Sequence, residues 1–396
     1  MKAVHFGGGN IGRGFIGLLL SQAGYRVEFV DVNDELVRLL QERGAYTVRL
    51  ANAEAEETVV QNVTAIHGNE TERVAQAIAE AEVVTTAVGA GVLKHIAGAI
   101  AKGIERRLAL SEKPLHVIAC ENAIGASTRL KQLVFELLPE GIRERAERFV
   151  AFPDAAVDRI VPIQQHEDRL AVTVEPFYEW VVDRSAMLDG YREIPGVHYV
   201  DRLQPYIERK LFTVNTGHCT AAYHAYARGG ENGYRTIQEA MGDPSVVAEV
   251  RGALGETGAV LTRQYGFDEA EHAKYIENIL ERFRNPFLTD EVVRVGRSPI
   301  RKLSPDERLV RPLTIARELG IETPYLIKAI AAALLFDYPE DPEAKELQQT
   351  LRELGVSEAV ARYTGLAESD PLHARILDSY ETLKNNNPHT KGSAAR

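Results

Sequence analysis

The chain has 396 residues, 45% of them hydrophobic and 26% charged, ordinary globular proportions that exclude a disordered or fibrous protein and predict two or three domains. No apolar run approaches the roughly 20 residues of a membrane span, and Met1-Lys2-Ala3-Val4-His5-Phe6 runs into Gly7 without room for a signal peptide. A net charge of −11 argues against non-specific binding to nucleic acid, while two widely separated cysteines, Cys120 and Cys219, build neither a zinc site nor a disulfide framework. The expectation is a soluble, reduced, cytoplasmic protein that acts on a small molecule, with neither nucleic acid nor membrane as partner. The pattern leaves the oligomeric state open.

In chain order, Ala3–Phe6, Val27–Val32, Val83–Val88 and Leu115–Ala119 are short Val-, Ile- and Ala-rich runs that read as buried parallel strands. Between them Ile11–Ala23, Asp34–Arg43, Glu70–Ala81 and Val92–Lys102 carry helical spacing. That alternation implies right-handed crossovers and a doubly wound sheet. Tyr46–Leu50 and Thr58–Thr64 interrupt it and predict a hairpin on the sheet's edge, and Leu170–Val174 and Trp180–Val182 read as further strands. Beyond about residue 201 the pattern turns helical, over Ile207–Arg228, Val246–Tyr265, Glu269–Phe283, Leu313–Leu319, Tyr325–Phe336 and Pro342–Glu353. The expected fold class is α/β: an N-terminal Rossmann doubly wound sheet with extra strands over 1–200, a mostly α-helical substrate domain over 201–385, and a frayed tail over 386–396.

Gly7-Gly8-Gly9-Asn10-Ile11-Gly12 has the spacing of a dinucleotide turn, and it lies between a strand and an apolar helix, where that motif works. Gly7 allows the tight turn, Gly9 the approach of a pyrophosphate and Gly12 close packing of helix on strand, while the helix N-terminus attracts the anion. Asp31 ends the second strand nineteen residues after Gly12. A carboxylate there bonds ribose hydroxyls and repels a 2′-phosphate, which favours NAD over NADP. Thr86, Val88 and Gly89 end the third strand at the cofactor edge; they line the nicotinamide side or simply close a strand.

Lys210-Leu-Phe-Thr-Val-Asn215-Thr-Gly-His218 is the second informative segment. At about 100° per residue, Asn215 lies roughly 140° and His218 roughly 80° from Lys210, so the three share one arc. Asn215, Thr216 and Gly217 are poor helix formers in mid-helix, each costing on the order of 0.5–1 kcal/mol relative to alanine, and such a violation marks function. Alcohol oxidation needs a base and a device for alkoxide charge. Lys210 can serve once its pKa falls from about 10.4, as desolvation and a nicotinamide cation would promote, and an asparagine N–H can serve the oxygen. Taken alone, a lysine and a histidine on one helix are usually surface or packing residues.

Five blocks together resemble the polyol-specific long-chain dehydrogenases, the mannitol dehydrogenase family, over nearly the whole chain: Gly7–Ile16, Cys120-Glu121-Asn122, Val157-Asp158-Arg159-Ile160-Val161-Pro162, the Lys210/Asn215/His218 pattern and Arg282-Phe283-Arg284-Asn285-Pro286. The resemblance implies a metal-independent NAD enzyme with its active site in the cleft between a Rossmann and a helical domain. It implies Lys210 as general acid/base, Asn215 and Asn122 as oxyanion stabilisers, and His218 and Asp158 as substrate contacts. The implied reaction interconverts D-mannitol 1-phosphate and D-fructose 6-phosphate; the alternative is a free polyol or a hexuronate, of mannitol 2-dehydrogenase or fructuronate reductase type. A phosphate needs cations, and Arg294, Arg297, Arg301 and Lys302 form the densest basic run. For any one of them a solvated basic loop is the alternative.

Overall fold

The computed structural model describes residues 1–162 and 164–386; the tail expected to fray lies, from 387 onward, outside the described residues. The chain divides into two compact units, Met1–Ile207 and Glu208–Arg396.

The strands of the first unit are β1 (Lys2–Phe6), β2 (Arg26–Asp31), β3 (Ala45–Leu50), β4 (Glu57–Gln61), β5 (Val63–His67) and β6 (Val83–Thr86). They continue with β7 (Leu115–Ala119), β8 (Val150–Ala151), β9 (Ala155–Asp158), β10 (Val172–Val174), β11 (Glu179–Asp183) and β12 (Val197–Val200). The main sheet runs β5-β2-β1-β6-β7-β8 with every pair parallel. Counted along those six strands the order is 3-2-1-4-5-6, the doubly wound arrangement with its switch point between β1 and β6. All residues of β6 and β7 are buried, because helices cover both faces and each run of Val, Ile, Thr and Ala meets a packed layer on either side.

The sheet corrects one expectation. Thr58–Thr64 is two strands: Asn62 takes a left-handed φ of 59°, which ends β4 and lets β5 turn into the main sheet beside β2. β3 and β4 do form an antiparallel hairpin, but it pairs with β10 in a separate three-stranded sheet. A second small sheet joins β9, β11 and β12. The helices Ala126–Leu137 and Glu140–Phe149 had no counterpart in the pattern reading.

The second unit is helical, around a core that includes Tyr223, Leu254, Phe283, Ile330 and Phe336. Among the described residues its longest helix, Pro244–Tyr265, starts with Asp243 accepting from the Ser245 N–H and stops at Gly266, which is left-handed. Among the described residues, no helix is long and apolar enough to cross a membrane.

Candidate active site

The glycine turn sits at the carboxyl end of β1. Gly7 has φ 101°, and a Cβ there would meet the Ala87 carbonyl oxygen at 2.5 Å. A Cβ on Gly12 would stand 1.8 Å from the Gly7 carbonyl oxygen, so that position tolerates no side chain. Gly9 is different: nothing lies within 4 Å of its would-be Cβ, leaving open space beside the turn. Asp31 closes the turn from β2, its Oδ2 accepting from the Gly8 N–H at 2.7 Å and its Oδ1 from the Asn33 N–H at 2.9 Å. Asn10 and Ile11 open the helix and are only partly buried.

That helix is not α throughout. Gly12–Gly17 is π-helical, closing turns at i→i+5. Two arginines absent from the site reading hold it. Arg13, 4% exposed, donates from Nη1 to the Gly8 carbonyl and from Nε to the Leu170 carbonyl at 3.2 Å. Arg159 donates from Nη1 to the Gly14 carbonyl at 3.0 Å, and from Nε and Nη2 to the Glu175 carbonyl at 3.0 and 2.8 Å. The block holding Asp158 is thereby tied to the glycine helix, with Asp158 itself buried at the end of β9.

Thr86, Val88 and Gly89 are organised by Glu121, the centre of the Cys120-Glu121-Asn122 block. Glu121 is 5% exposed and accepts from the Thr86 hydroxyl at 2.6 Å and from the Val88 and Gly89 N–H groups at 3.1 and 2.7 Å. Its neighbour Asn122 is exposed. Glu121 thus shapes the strand end that pattern reading flagged, and the signal for it lay in the same three-residue block.

In the second unit, Lys210–Asn215 is again π-helical and runs into the α-helix Thr216–Tyr226. Because a π turn takes more than four residues, Asn215 falls roughly 50° from Lys210 instead of 140°. The wider turn therefore corrects the α-helical angle and brings the two closer to one line. From 210 to 227 only Lys210, Asn215 and His218 reach solvent; every other residue is buried. The neighbouring poor helix formers have packing reasons. Thr216 Oγ1 donates to the Leu211 carbonyl at 3.0 Å and lies 2.6 Å from the Arg308 carbonyl. Gly217 leaves room for Phe283, whose ring would lie 3.0 Å from a Cβ.

His218 stacks on Phe283, centroids 5.0 Å apart and planes 13° from parallel. Its Nε2 lies 2.8 Å from Oδ2 of Asp290, a residue 2% exposed whose Oδ1 accepts from Arg294 Nε at 2.8 Å. Burial alone would push the Asp290 carboxyl up; His218 and then Arg294 outweigh it and hold it below the usual carboxylate value. A carboxylate facing Nε2 keeps the proton there, leaving the Nδ1 lone pair as an acceptor. Asp290 lies 72 residues from His218 in sequence and escaped pattern reading.

The basic run is already engaged. Arg294 meets Asp290, Arg297 lies 3.5 Å from Glu340 and over the Tyr338 ring, and Arg301 lies 2.9 Å from Glu307. Arg308, not singled out from sequence, shares Glu307 at 2.9 Å. Lys302 is 5% exposed and donates to the Val295 and Arg297 carbonyls, the latter at 2.5 Å; burial lowers its pKa to about 7. Between Arg297 and Pro299, Ser298 holds a left-handed φ of 60°, with its N–H on Asp341 Oδ2 at 2.8 Å. Strain of this kind in a non-glycine residue gathers at ligand-holding loops.

A dinucleotide-type sheet followed by a helical unit that bears a lysine, an asparagine and a histidine defines a class. Residues 1–196 match the mannitol dehydrogenase Rossmann domain and residues 202–384 the mannitol dehydrogenase C-terminal domain, so the chain belongs to the mannitol dehydrogenase family. Within it, the chain is 53% identical to the mannitol-1-phosphate 5-dehydrogenase of Brevibacillus brevis, over 97% of this chain and 98% of that one. It is 50% identical to the enzyme of that name from Geobacillus stearothermophilus, over 97% and 100%. Among solved structures, a D-sorbitol dehydrogenase aligns with a TM-score of 0.81 at 16% identity over 97% of this chain and 93% of its own. Pseudomonas fluorescens mannitol 2-dehydrogenase, solved as a ternary complex with NAD and D-mannitol, aligns at 0.76 and 19% over 98% and 93%.

Proposed function

We infer that the chain is an NAD-dependent mannitol-1-phosphate 5-dehydrogenase, interconverting D-mannitol 1-phosphate and D-fructose 6-phosphate. The observation that carries this reading is identity of about half, end to end, with enzymes of that name. This reading assigns the open space beside Gly9, at the helix begun by Asn10, Ile11 and Gly12, to the pyrophosphate, and Asp31, which accepts from the Gly8 N–H, to the ribose hydroxyls as well. NAD, when bound, supplies the hydride acceptor.

The chain's own residues handle the proton and the oxygen. Lys210 takes the hydroxyl proton during oxidation and returns it during reduction. Amide N–H groups of Asn122 and Asn215 hold the oxygen as charge develops. His218 accepts from a neighbouring substrate hydroxyl through Nδ1, and Asp158 accepts from another. Arg294, Arg297 and Arg301 are offered for the phosphate, with Lys302 contributing by fixing the loop that carries them.

Three assays test this. NADH oxidation should be fast with fructose 6-phosphate and slow with fructose or fructuronate; the reverse ranking would replace the phosphorylated substrate with a free polyol or a hexuronate. Arg297→Glu and Arg301→Glu should raise the KM for fructose 6-phosphate at least about tenfold, the scale of one charge-assisted bond. Equal losses on fructose would refute a phosphate role for those residues. Asp290→Asn should raise the same KM about tenfold with a smaller fall in kcat, because His218 loses its fixed tautomer. A change in kcat alone would place Asp290 outside substrate orientation.

A further inference from the structure

The first unit holds a cavity of about 350 Å³ at the amino-terminal edge of the parallel sheet. It lies beside the starts of β6 and β7, whereas the glycine turn follows the carboxyl end of β1. Its size is that of a small-ligand pocket.

Charge in this cavity is unbalanced. Arg107 is 5% exposed, and its guanidinium donates to four carbonyls, those of Lys113, Ala79, Ala81 and Pro114. No ion pair to a carboxylate accompanies those bonds among the described residues. Buried cations are normally paired. Lys113 and Arg192 add two more positive charges, and of the described lining residues Glu82 alone is acidic.

Donors also converge there. His116, 5% exposed, accepts the Leu188 N–H on Nε2 at 3.1 Å, which places its own proton on Nδ1. Nδ1–H has no acceptor among the described residues. Burial, with a smaller contribution from Arg107, lowers the His116 pKa to about 4, so that tautomer persists at neutral pH. Tyr199 accepts the Ile194 N–H at 3.1 Å and keeps its O–H to donate. Tyr25, 3% exposed, has no hydrogen-bond partner for its hydroxyl among the described residues. Tyr191 bridges the rings, 5.9 Å from His116 and 5.3 Å from Tyr199.

We propose that this cavity is a second ligand site, for a small aromatic anion whose charge meets Arg107, Lys113 and the His116 Nδ1–H and whose ring packs against Tyr191. The excess of positive charge and of unused donors selects an acceptor-rich anion, and the aromatic walls select a flat ring.

The probe is phenyl phosphate, titrated calorimetrically into full-length protein saturated with NADH. It should bind saturably, with inorganic phosphate and phenol each at least about tenfold weaker. Lys113→Glu and Tyr191→Ala change solvent-reaching side chains and should each weaken phenyl phosphate about tenfold, with NADH affinity and unfolding midpoint unchanged. Binding that survives both variants, no saturable binding, or inorganic phosphate binding as tightly as phenyl phosphate would each overturn the proposal. The readout is binding alone, so a different catalytic substrate would leave it standing.

Discussion

Lys210→Ala should lower turnover at least about a hundredfold in both directions while NADH still binds, the scale of lost acid/base assistance. The side chain starts the π turn and is one of three that reach solvent from an otherwise buried helix, so its removal leaves the surrounding core in place. A single amine also fixes the pH dependence. Oxidation uses the neutral amine and should improve as pH rises; reduction uses the ammonium and should improve as pH falls. Unchanged turnover in the variant, or parallel pH limbs in the two directions, would remove Lys210 from the chemistry.

Gly12→Ala should abolish NADH binding and destabilise the first unit. The methyl would stand 1.8 Å from the Gly7 carbonyl oxygen and 2.8 Å from His5 Nε2. Backbone cannot rotate away as a side chain can, so the cost should be at or above the roughly 3 kcal/mol upper range of ordinary overpacking. Gly9→Ala separates folding from binding. With nothing within 4 Å of the new methyl, the protein should keep its unfolding midpoint yet bind NADH at least about tenfold more weakly, since the methyl occupies the space offered to the pyrophosphate. If Gly9→Ala bound NADH normally, that face of the turn would not be the cofactor's.

Much of the first unit was legible because a strand buried on both faces has no polar alternation to obscure it: Val83–Thr86 and Leu115–Ala119 read directly as apolar runs. Thr58–Thr64 misled because β-propensity carries no sign of the left-handed Asn62 that splits it. Glu140–Phe149 was missed because Ala146 is its one buried residue, too little to make a stripe. The segment Lys210–His218 was conspicuous through its breach of helix propensity. Its true angular layout was hidden, since a 3.6-residue period has no place for i→i+5 turns. Glu121 and Asp290 have partners 35 and 72 residues away, and no local pattern names a partner at that distance, although the Cys120-Glu121-Asn122 block did mark Glu121 itself. Asp290 with Arg294 is an i,i+4 pair and did leave a local trace.

The two π segments carry a consequence for how this molecule can vary. A residue lost between 210 and 215 would let the widened coil close to an ordinary α turn, and four α steps of about 100° cover nearly the angle of five π steps. Asn215 and His218 would then keep nearly the same facing relative to Lys210. A gap of one residue should therefore be tolerated within a π segment, whereas the same gap inside the α-helix Thr216–Tyr226 would turn everything beyond it by about 100°.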